Sequence, residues 1–132
     1  MAVITALSLV HHGDHLLRGV TGCSLDGGFN PFSASLFGYP VIAGGVVLSR
    51  RGRAGARFWA VLAGGGALFV LIVHVGPAAG DTVTDIPDHH GSPVAGVVAL
   101  AVLVASVAAL VAHCAYEIRR LRTTQEEAKD PS

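Results

Sequence analysis

Residues 94–116 read VAGVVALAVLVASVAALVAHCAY, an unbroken apolar run without Asp, Glu, Lys or Arg. A helix that crosses a bilayer needs about 20 such residues, and this stretch meets the requirement most fully. Three further apolar segments precede it. Residues 58–75 read FWAVLAGGGALFVLIVHV, and residues 32–48 read FSASLFGYPVIAGGVVL. Residues 2–20 open apolar and turn polar halfway. The second segment is short and carries Pro40, which predicts a kink or an irregular turn there. The chain is 52% hydrophobic and 14% charged over 132 residues, against about 25% charged in soluble domains. Nine of its 17 glycines lie within the apolar runs, where membrane helices tolerate them. The expected fold is all-α: an integral membrane four-helix bundle over residues 1–118, followed by a tail at 119–132.

The basic residues orient it. Arg50, Arg51, Arg53 and Arg57 lie between the second and third segments, and Arg119, Arg120, Arg122 and Lys129 follow the fourth. Both groups share one face if segments three and four span, which leaves Arg18 as the exception. The positive-inside rule assigns that face to the cytoplasm. Both termini are then cytoplasmic, loops 21–31 and 76–93 face out, and the protein is a multi-pass component of the cytoplasmic membrane. Residues 1–20 lack a basic start, and HHGDH breaks their apolar core, so a retained span is expected rather than a cleaved signal peptide. The tail, RRLRTTQEEAKDPS, reads as a solvated helix end that frays, with arginines placed to reach lipid headgroups. Cys23 and Cys114 fall on opposite faces and are not expected to pair, and there is no CxxC motif. GGG at 64–66 is read as a close helix contact, not a ligand loop.

The densest ionisable cluster lies inside the first segment, HHGDHLLRG at residues 11–19. At 100° per residue, His11, Asp14, His15 and Arg18 share one helical face, and His12 stands one step around it. Lipid cannot satisfy such groups, so the stripe must face the bundle interior or a wet cavity. With a rise of about 1.5 Å per residue, His11 falls near the midplane and His15 a turn further out. His74 closes the third segment at a comparable level. His89 and His90, with Asp85 and Asp88, occupy the outer loop as a candidate cap. His113 lies near the cytoplasmic side and is left out of the site.

Neutral imidazole is the commonest nitrogen ligand for transition metals and for haem iron. His11 and His15, four apart, point the same way, and His74 can reach them from another helix. The candidate metal ligands are therefore His11, His12, Asp14, His15 and His74, with His11, His15 and His74 the candidates for a haem or other cofactor. Asp14 can ligate directly or hold a ligand's second N–H. Three functions fit this pattern. The first is transition-metal or haem binding for electron transfer or metal handling. The second is a non-catalytic subunit or assembly partner of a larger membrane complex, with Asp14 and Arg18 as an internal ion pair and the histidines as polar packing. The third is a proton-coupled carrier, since His and Asp chains relay protons in membranes. The chain has no HExxH pattern, no di-iron Glu and ExxH set and no nucleophile motif, so the reading leans away from an enzyme. The expected partners are the bilayer and other membrane subunits or further copies of the chain, with no nucleic acid.

The order HHGDHLLRG, NPFSASLFGYP, HVGP and DIP resembles an uncharacterised family of small four-span membrane proteins, mainly from high-GC actinobacteria. Members carry HHxDHxxR in the first span, PFxxSL…YP entering the second and HxxP closing the third. The likeness covers roughly residues 10–95 as scattered motifs, with HHxDHxxR the specific one. It places the family's polar positions on His11, His12, Asp14, His15, Arg18 and His74, with Pro77 beside them. A Gly-Trp-Pro common after the first span is replaced here by GCSLDGG. The resemblance implies four spans and a grouping of the motifs. It implies no activity.

Overall fold

The computed structural model describes residues 1–19, 30–75 and 82–129. Helix is the only regular structure among them. The helices are α1 (Ala2–Leu17), α2 (Pro31–Leu36), α3 (Gly38–Arg50), α4 (Ala56–Val75) and α5 (Pro93–Lys129). Three stretches are long and apolar enough to cross a membrane: Pro31–Arg50, Ala56–Val75 and Pro93–Lys129. The expected first span at 2–20 is a 16-residue helix, about 24 Å long and shorter than a usual span. It stops because Gly19 takes a left-handed φ of 68°, a turn that ends helices at glycine. Expectations concerning the first outer loop with Cys23, and concerning Pro77, lie outside the described residues.

The second apolar stretch bends where Pro40 predicts it. Asn30 caps α2 by accepting from the Phe32 and Ser33 amides, and Pro31 opens the first turn, as a proline lacking an amide does well. Pro40 offers no N–H to the Leu36 carbonyl one turn earlier. The chain breaks at Phe37, whose N–H turns back to the Ala34 carbonyl at 3.2 Å. α3 then runs to a tight hairpin into α4. Ser49 Oγ donates to the Ala54 carbonyl and accepts from Trp59 Nε1, each at 2.9 Å. Gly52 turns the chain with φ at 70°.

α4 and α5 form the most extensive pair, and α1 lies against α5. Ala60, Ala63 and Ala67 are buried along α4. A Cβ on Gly64 would stand 3.2 Å from Cys114 Sγ, and one on Gly66 would stand 3.4 Å from Leu110. The triple glycine thus brings α4 close to α5, the small-residue contact that membrane helices use. Valines and leucines such as Leu17, Val61, Leu68, Val97 and Val104 remain exposed. In water this would be an aggregating surface; in lipid it is a matched one. α5 stays helical to Lys129, where a frayed tail was expected. Glu117 is buried on it, bonded to Arg120 Nη1 at 2.9 Å.

Candidate metal centre

Two turns of α1 and the last turn of α4 build the centre. His11 and His15 stand one helical turn apart, with their Nε2 atoms 3.2 Å from each other. His74 faces both across the interior, its ring centroid 5.2 Å from that of His11 and 6.0 Å from that of His15. One ring nitrogen from each of the three lies within 4.8 Å of the others, close enough to hold a metal ion. His15 and His74 are buried. Phe32 of α2 covers the His15 ring at 5.9 Å between centroids. The Val83 amide donates to the His74 carbonyl at 3.2 Å, which ties the loop before α5 to the end of α4.

His12 belongs to a different group. Its Nδ1 meets Tyr39 Oη at 2.6 Å, and its Nε2 meets Ser35 Oγ at 2.6 Å. Tyr39 Oη also donates to Ser8 Oγ at 3.1 Å, and Ser35 Oγ donates to the Phe32 carbonyl at 2.6 Å. This network joins α1 to both halves of the kinked second stretch. The one-step offset of His12 on the helical wheel carries it away from His11 and His15 and toward α2 and α3.

Asp14 is also taken up elsewhere. Its Oδ2 accepts from Arg18 Nε at 2.9 Å, and its Oδ1 lies 2.8 Å from His90 Nε2. The Asp14–Arg18 pair expected from the spacing is present, and a loop histidine joins it. His90 Nδ1 lies 2.6 Å from the Ile86 carbonyl. Both ring nitrogens thus face acceptors, an arrangement that only the imidazolium satisfies with two donors. The hydrogen bond to Asp14, followed by the one to Ile86, raises the His90 pKa above the usual histidine value. Asp85, in the same loop, accepts from Thr82 Oγ1 within its own turn, while Asp88 and His89 lie exposed. The loop itself is pressed onto α5, since a Cβ on Gly96 would fall 2.6 Å from the Pro87 backbone. Ile86 is 1% exposed beneath it.

Sequence reasoning did not single out Ser8, Ser35 or Tyr39. The motif PFxxSL…YP contains Ser35 and Tyr39, and that was the available signal. The inward role of His90 against the outward one of His89 had no signal, because loop geometry decides it. His113 stays apart from the centre, with its Nε2 3.8 Å from Glu117 Oε1.

The three histidines stand at one end of a cavity of about 660 Å³ walled by α1, α2, α3, α4 and α5. Ser35 and His12 line the same end, and Ile4, Ile42, Leu62, Phe69, Leu103 and Leu110 line the remainder. The space is partly open, and Val61 on its wall is 69% exposed. No family model, curated protein or solved structure matches this chain.

Proposed function

We propose that this is a multi-pass protein of the cytoplasmic membrane that holds one transition-metal ion at His11, His15 and His74. The observation that carries the reading is the convergence of three imidazole nitrogens, two of them 3.2 Å apart. Two nitrogens bound to one tetrahedral zinc ion at 2.0–2.1 Å stand about 3.3 Å from each other. His11 and His15 therefore already stand at the spacing that an ion requires, and His74 lies within 4.8 Å of them. Nitrogen-only ligation suits zinc, copper, iron and nickel rather than magnesium or calcium. A bare ion fits better than haem. His11 and His15 project from one helix toward a single point, whereas a haem iron takes its axial ligands from opposite sides of a macrocycle.

Three protein donors would leave a tetrahedral ion one position for a further ligand, the pattern of zinc sites that bind one. This favours binding or handling at the metal over electron transfer. The inward polar face of α1 supports its place as a fourth, short span. The arginines at 50–57 and 119–122 support cytoplasmic termini, which puts the centre in the outer half of the bilayer. The order of motifs supports kinship with the four-span family that the sequence resembles.

The test is metal content after purification in detergent without added chelator. One ion per chain, lost in His15→Ala and in His74→Ala, is the expected result. A folded, metal-free protein that takes up no zinc, copper, iron or nickel on titration would overturn the reading. A second reading, a non-catalytic partner subunit, draws on the networks of His12 and of Asp14, which pack helices together. Metal-free protein that co-purifies with a stoichiometric membrane partner would favour it.

A further inference from the structure

We infer that the cavity behind the histidines holds a long-chain carboxylate, with its head on the metal and its chain along α4. The inference rests on the metal reading above and names the ligand for its open position. The lining grades from polar to apolar along one axis. His11, His15, His74 and Ser35 gather at the outer end, and Leu62, Leu103 and Leu110 lie toward the inner end, with Ser106 and Met1 among them. Along α4 the lining extends from His74 back to Val61, a rise of about 20 Å over those positions. The hydrocarbon half-thickness of a bilayer is about 15 Å. A single acyl chain of the kind membranes contain therefore fits lengthwise, and a compact polar substrate would leave the inner walls uncovered.

Charge selects the head group. His11, His15 and His74 are neutral when they ligate, so a divalent ion would keep its full charge in a low-dielectric interior, an expensive arrangement. The nearest acid, Asp14, is engaged by Arg18 and His90. A carboxylate oxygen entering from the cavity fills the fourth position and offsets the charge together. An uncharged head, such as an alcohol, does only the first.

Gly65 gives the means to test this separately from the metal. It lines the cavity, and a Cβ there meets nothing within 4 Å, so Gly65→Leu adds bulk at the lining without a clash. Nine positions separate Gly65 from His74, well away from the histidine nitrogens. Gly38→Val, also into open space on the lining, provides a second filling variant if the first folds poorly. The experiment measures displacement of a fluorescent polyene fatty acid by hexadecanoate and by hexadecanol. The samples are zinc-loaded protein, chelator-treated protein and the two variants, with zinc content determined for each.

One saturable hexadecanoate site per chain is expected on the zinc-loaded protein. Affinity should fall at least tenfold in Gly65→Leu or Gly38→Val with zinc content unchanged, and at least tenfold after chelation. Hexadecanol should bind at least tenfold more weakly than hexadecanoate. A zinc-loaded protein with no saturable fatty-acid site overturns this inference and leaves the metal reading standing. Equal binding of alcohol and acid, or of acid with and without zinc, overturns the head-group assignment. Failure to load zinc at all overturns the metal reading, and this inference with it.

Discussion

His12 and His15 differ by three positions in a single motif, and the structure expects opposite outcomes from losing them. His15→Ala removes one of three nitrogen donors. Loss of a residue that merely supports a ligand costs 10–100-fold in metal affinity, so loss of a ligand should cost at least about 100-fold. Zinc at 100 times the native Kd stabilises the folded protein by about 2.7 kcal/mol through mass action. At about 4 °C per kcal/mol for a chain of this size, the native Tm should rise by roughly 10 °C. At the same zinc concentration the His15→Ala variant reaches half-saturation at most, and its Tm rises by no more than about 2 °C. His12→Ala leaves His11, His15 and His74 in place but removes the bonds to Ser35 and Tyr39. Two such bonds contribute on the order of 1–3 kcal/mol together, so the metal-free Tm should fall by roughly 4–12 °C. The zinc-induced rise should persist, since all three nitrogen donors remain. Thermal unfolding in detergent with and without zinc reads both effects. The division of the motif into a centre and a strut is refuted if His12→Ala abolishes the zinc-induced rise, or if His15→Ala retains it.

Other consequences are as direct. Gly96→Val places a Cβ against the Pro87 backbone at 2.6 Å; overpacking of this kind costs about 1–3 kcal/mol, read as a lower Tm despite valine's better fit to a helix than glycine's. The two contacts of His90, with Asp14 and with the Ile86 carbonyl, together require the imidazolium, and the His90 pKa is raised in the folded state. Its contribution is therefore complete below the unfolded value near 6.5 and is lost as pH rises through the higher folded value. Hydrogen-exchange protection at 82–90, corrected for intrinsic rate, should fall over that rise, and His90→Gln should flatten the profile. With both native cysteines replaced by serine, a cysteine at Arg53 or Thr124 should react with an impermeant maleimide in inverted vesicles. One at Thr84 should react in intact cells, and the reverse pattern would overturn the orientation.

The helices were legible because membrane spans and helix ends are written locally. Apolar length located α4 and α5 to within two residues at their N-terminal ends, and Pro40 located the bend by the hydrogen bond it cannot make. The C-terminal end of α5 was not legible. Composition alone does not distinguish a frayed tail from a helix whose Glu117 is buried against Arg120. The end of α1 turned on one backbone angle at Gly19, because an apolar pattern alone does not reveal where a left-handed turn will stop a helix. In the centre, spacing on one helix was enough to pair His11 with His15, and level in the membrane was enough to bring His74 to them. It was not enough to separate His12 and Asp14 from the ligand set.

That separation depends on what the other helices present. Ser35 and Tyr39 offer His12 two hydrogen-bonding partners on the kinked stretch, and His90 descends from the loop to Asp14. A buried polar group takes whichever partner reaches it first, because leaving it unpaired costs more than any particular pairing gains. The motif thus does two tasks through its helical angles. His12, Asp14 and Arg18 bind α1 to its neighbours, and this holds His11 and His15 at the spacing an ion needs. A short helix that buries only Ile4 of its apolar side chains is fixed in place by these polar ties. Weakening them should loosen the centre without removing a ligand, which is why the stability and zinc readings must be made on the same variants.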